Sequence, residues 1–114
     1  MNPKGYVVIV EGDPLIRSLL ERWLGEAGYA LSPPKEREAK PVLVIADAPD
    51  PQSAEALISS LQGYAAPILL LSARFRRGLA GSAETAQRLG VKKVLPKPFT
   101  RDELLSAVRE SLHP

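Results

Sequence analysis

The sequence predicts an α/β fold with a doubly wound parallel sheet, on three observations. Strand-length apolar runs alternate with stretches whose apolar residues recur at helical spacing. The unit repeats five times, with Gly, Pro, Asp or Ser marking the junctions. Four of the runs end on a polar residue of a different kind: Val7-Val8-Ile9-Val10 on Glu11, Val42-Leu43-Val44-Ile45-Ala46 on Asp47, Ile68-Leu69-Leu70-Leu71 on Ser72, and Val94-Leu95-Pro96 on Lys97. Open α/β sheets bind ligands beyond the carboxyl ends of their strands. Parallel pairing would therefore bring two carboxylates, a hydroxyl and an ammonium to one pocket.

The first unit is a strand over 6–10 and a helix over 14–27. Asp13-Pro14 supplies an N-cap with proline at the first helical position, Ile16, Leu20, Trp23, Leu24 and Ala27 form the stripe, and Gly28 stops it. Tyr29-Ala30-Leu31 reads as a short second strand closed by Ser32-Pro33-Pro34. The following segment, 35–40, has no apolar stripe and can make a turn or two of exposed helix at most, which leaves the sheet less covered there. If apolar, that face would suit a partner or a second copy of the chain. Strand 42–46 precedes a proline-marked loop and a helix at 52–61 carrying Ala54, Leu57, Ile58 and Leu61. Strand 68–71 leads to a basic loop with Arg74, Arg76 and Arg77, then a helix at 83–89 that Ser82 caps and Gly90 ends. After a strand over 91–95, Thr100 and Glu103 form a capping box for a last helix with Leu104, Leu105, Val108 and Leu112 apolar.

A chain of 114 residues is one domain by size, spanning 1–114, without linker or low-complexity tract. The absence of cysteine excludes a disulfide framework and a Cys-ligated zinc site. No apolar run reaches membrane-spanning length, and Met1-Asn2-Pro3-Lys4 leads into a strand rather than a signal-peptide core, so a cytoplasmic protein is expected. Residues 71–114 carry 9 Lys/Arg against 4 Asp/Glu, too mild an excess, with too few aromatics, for a nucleic-acid surface.

Val-Glu-Gly-Asp-Pro-Leu-Ile-Arg at 10–17, Pro-Val-Leu-Val-Ile-Ala-Asp at 41–47, Leu-Ser-Ala at 71–73 and Leu-Pro-Lys-Pro-Phe at 95–99 occur in an order that resembles the receiver domain of two-component response regulators. The resemblance covers essentially the whole chain. It implies a flavodoxin-like sheet in strand order 2-1-3-4-5, a place in phosphorelay signal transduction, and a histidine kinase or phosphotransfer protein as partner. Asp47 stands at the phosphoacceptor position, with Ser72 and Lys97 at the positions that hold the phosphoryl group. An acyl phosphate needs a carboxylate nucleophile and compensation for the charge on its phosphoryl oxygens, which these three residue types supply. Such a protein is an acceptor and not an enzyme beyond slow self-phosphorylation and dephosphorylation. The resemblance also implies a cis Lys97-Pro98 bond.

Several positions depart from the family pattern. Magnesium would draw on Glu11, Asp47 and the backbone carbonyl of Pro49, but Gly12 stands where a second acid is the direct ligand, so Mg2+ is expected to bind weakly or not at all. Asp13 is better explained as an N-cap than as a substitute. The aromatic switch position is Val94, and the second helix is about two turns short. Glu11 and Asp47 would repel unless a cation stands between them; Lys97 is the first candidate and Arg74 the second. Glu11 read by itself is a strand-end residue that simply pairs with Lys97, and Ser72 read by itself is ordinary turn chemistry. Intact Asp47, Ser72 and Lys97 favour a phosphoreceiver. Glu11-Gly12 and Val94 favour a pseudo-receiver that acts as a phosphorylation-independent interaction module. A flavodoxin-like cofactor binder fits poorly, because no Gly-rich phosphate loop follows the first strand.

Overall fold

The computed structural model describes residues 5–31, 40–48, 51–72 and 83–112. Among the described residues four strands, β1 (Val7–Val10), β2 (Leu43–Asp47), β3 (Ile68–Ser72) and β4 (Lys93–Pro96), alternate with four α-helices, α1 (Pro14–Glu26), α2 (Pro51–Leu61), α3 (Ala83–Leu89) and α4 (Arg101–Leu112). The strands pair in the order β1-β2-β3-β4, and every pair is parallel.

Alternation along the strands divides the core in two. Val7, Ile9, Leu43, Ile45, Leu69, Leu71 and Leu95 face one side, where they pack with Leu20 and Leu24 of α1 and Leu104, Ala107 and Val108 of α4. Val44, Ala46, Ile68, Leu70 and Val94 face the other, against Ala54, Ile58 and Leu61 of α2 and Ala86 of α3. Both faces of β2 and β3 are covered, so these strands read as unbroken apolar runs rather than as alternating ones.

The second strand expected at 29–31 is reduced to one parallel bridge between Tyr6 and Ala30. Ala30 donates to the Gly5 carbonyl at 2.9 Å and Val7 donates to the Ala30 carbonyl at 2.9 Å. The prolines at 33 and 34 have no N–H with which to continue the ladder. Among the described residues the 2-1-3-4-5 order survives with its outermost member reduced to that bridge beside β1. The short helix expected at 35–40 lies, apart from exposed Lys40, outside the described residues.

The caps expected of the first and last helices form, while Ser82 lies outside the described residues. Asp13 Oδ1 accepts from the backbone N–H groups of Leu15 at 2.9 Å and Ile16 at 3.4 Å. Helix α1 ends in a Schellman pattern, with Gly28 at φ +100° and Tyr29 N–H reaching back to the Leu24 carbonyl at 3.0 Å. Thr100 Oγ1 accepts from Glu103 N–H at 3.1 Å and Glu103 Oε1 accepts from Thr100 N–H at 2.9 Å, the reciprocal capping box of α4.

Candidate functional site

Parallel register carries the polar residues to one edge. Asp47 and Ser72 are the last residues of β2 and β3, one position later than the apolar runs implied, while Glu11 and Lys97 directly follow β1 and β4. Asp47 sits opposite Leu71 and Ser72 opposite Pro96. Two bonds pin the loops beyond them: Ala48 N–H donates to the Leu71 carbonyl at 2.9 Å, and Lys97 N–H to the Ser72 carbonyl at 3.0 Å.

Lys97 binds both acids. Its Nζ donates to Glu11 Oε2 at 2.8 Å and lies 2.7 Å from Asp47 Oδ1. The side chains of Glu11, Lys97 and Asp47 are 2%, 13% and 24% exposed, so the bridge runs from the protein interior outward to Asp47. Burial alone would push the ammonium toward its neutral form. The hydrogen bonds and charges of Asp47 and Glu11 outweigh that, and the pKa of Lys97 is raised above its ordinary 10.5. Glu11 uses its other oxygen as well: Oε1 accepts from Asp13 N–H at 3.0 Å. Ser72 is wholly buried at the same edge, and the Lys97-Pro98 bond is cis.

Solved structures of the same fold are receiver domains. The chemotaxis protein CheY4 of Vibrio cholerae aligns over 95% of this chain and 98% of its own, with 21% identity and a TM-score of 0.67. The non-phosphorylated HemR receiver domain of Leptospira biflexa aligns over 97% and 96%, with 24% identity and a TM-score of 0.66. An orphan response regulator of H. pylori covers 99% and 100%, with 14% identity and a TM-score of 0.69. The fold is that of a signal receiver domain. No family model matches the sequence, and no curated protein matches it.

A receiver of this fold is expected to hold magnesium, and the donor set here can be tested against that ion. Mg2+ demands near-octahedral oxygens at about 2.1 Å. Both oxygens of Glu11 are taken, Asp47 Oδ1 is held by Lys97, Asp13 Oδ1 caps α1, and Gly12 offers no side chain. Among the described residues no three His, Cys, Asp or Glu side chains group closely enough to hold a metal. The described donors do not fit the ion; Pro49, whose carbonyl the resemblance adds to the set, lies outside the described residues. So does Arg74.

Val94, which the resemblance puts at the switch position, is 1% exposed and packed in the α2/α3 core. Its two methyl groups have no long lever to swing between core and surface, unlike an aromatic ring. Two contacts were not legible in the sequence. Arg17 Nη1 donates to the Ile9 carbonyl at 2.9 Å, bracing the end of β1 beside Glu11. Trp23 and Phe99 meet edge to face at 6.4 Å and, with Ile16, Leu19, Lys97 and Pro98, line a groove of about 350 Å³. Helical spacing placed Trp23 in the stripe, but nothing local ties it to Phe99.

Proposed function

We propose that this chain is a receiver in phosphorelay signal transduction that accepts a phosphoryl group on Asp47 from a histidine kinase or phosphotransfer protein. The observation that carries the reading is the state of Asp47. Lys97 lies 2.7 Å from Oδ1 of a side chain that keeps 24% exposure, so the carboxylate is both paired with a cation and reachable from solvent. In the transfer Oδ2 forms the new P–O bond, the P–N bond of a phosphohistidine breaks, and its electron pair stays on an imidazole that takes a proton from water. Lys97 stays beside the phosphoryl oxygens and offsets their charge. Ser72, the last residue of β3 at the same edge, is the hydroxyl that would donate to them. The chain supplies the acceptor and not the phosphoryl donor.

Intact mass after incubation with acetyl phosphate tests this. The expected result is one added phosphoryl group that is lost in Asp47→Asn. No added mass, or the same addition in Asp47→Asn, overturns the assignment. A second reading, a phosphorylation-independent interaction module of receiver fold, is favoured by buried Val94 and by a Glu11 whose oxygens are both engaged. An unlabelled chain would select it.

A further inference from the structure

We propose that Lys97 is the resident cation of this pocket, in place of the divalent ion that the fold family implies, and that Gly12→Asp alone creates a magnesium site. The inference rests on the receiver reading only for the expectation that a metal belongs here. One ammonium between two carboxylates leaves the bridge a single net negative charge, with both acids already bound. A divalent ion would have to share both carboxylates with an ammonium that already holds one oxygen of each, and would stand close to that like charge. Binding is therefore opposed by repulsion from Lys97 as well as by the dehydration Mg2+ resists.

Position 12 is the gap in an otherwise complete edge. It lies between Glu11, which the bridge holds, and Asp13, whose carboxylate is committed to α1. A Cβ built on Gly12 meets nothing within 4 Å, and the residue is exposed. Its φ lies outside the left-handed region, so an Asp fits without backbone strain. The added carboxylate doubles the net negative charge that a cation would meet.

Magnesium titrations of the parent chain, Gly12→Asp, Gly12→Asn and Lys97→Gln, followed by calorimetry and by Tm, test the assignment. The parent should show neither saturable heat nor a Tm shift through the millimolar range. Gly12→Asp should bind at least about tenfold tighter, while Gly12→Asn, equal in size but neutral, stays with the parent. Lys97→Gln should lose stability without magnesium and regain part of it as magnesium binds the freed carboxylates of the folded state. A parent chain that saturates with magnesium, or a Gly12→Asp chain that binds no tighter than Gly12→Asn, overturns the proposal. If Lys97→Gln does not fold, the two Gly12 variants decide it. These measurements do not read phosphoryl transfer: an unlabelled Asp47 would remove the phosphoacceptor reading and leave the cation assignment standing.

Discussion

Two lysines flank the same strand and each forms ion pairs, yet their settings differ. Lys97, beyond the carboxyl end of β4, is 13% exposed and shared by a buried Glu11 and a half-buried Asp47. Lys93, at the start of β4, is 31% exposed and pairs with Glu110 of α4, which is 58% exposed. Exposed pairs of the second kind contribute roughly 0–1 kcal/mol, because water and salt screen them and two long side chains must be ordered. Removing one partner of the first kind leaves a charge in low dielectric with nothing opposite it. The ion pair as such therefore says little; burial and the number of partners decide whether a lysine belongs to a site.

The largest effect is expected from Lys97→Met, with a loss of about 3 kcal/mol in urea denaturation, the low end for a buried pair because Asp47 reaches solvent. A loss below that of Lys93→Gln would erase the contrast. The pH dependence follows from the same group. Its pKa is raised on folding, so its contribution is complete below the unfolded value and disappears as pH rises through the folded one, above 10.5. The stability gap between parent and Lys97→Met should hold from neutral pH to about 10 and close above it. A gap that closes near neutral pH would contradict this.

Asp13→Ala should cost about 1 kcal/mol, the usual loss of an N-cap. Its backbone N–H, not its side chain, touches Glu11. The cost should thus be the same in the Lys97→Met background, and strong coupling in a double-mutant cycle would place Asp13 inside the bridge instead. The smallest effect belongs to Lys93→Gln, at most about 0.5 kcal/mol and smaller still at high salt. Chemical denaturation at two ionic strengths checks it.

The sequence by itself determined the fold class, the caps and the members of the polar edge. These depend on local chemistry: unbroken strand-length apolar runs buried on both faces, Asp13 and Thr100 offering oxygens to orphan N–H groups, and chain polarity that puts Glu11, Asp47, Ser72 and Lys97 at the carboxyl ends of their strands. It overestimated the 29–31 strand, because a three-residue run does not show how little ladder precedes Ser32-Pro33-Pro34. Only the tertiary structure decided that Lys97 takes Glu11 and Asp47 together. Lys97 and Glu11 are 86 residues apart, and their 2.8 Å contact exists because β2 and β3 lie between β1 and β4 in one parallel register. It also decided that Glu11 spends its second oxygen on Asp13 N–H, that Val94 faces the core, and that open space surrounds Gly12. Residue identity limits which charges are available. Distance, burial and direction, which set what those charges do, come from the packing of segments far apart in the chain.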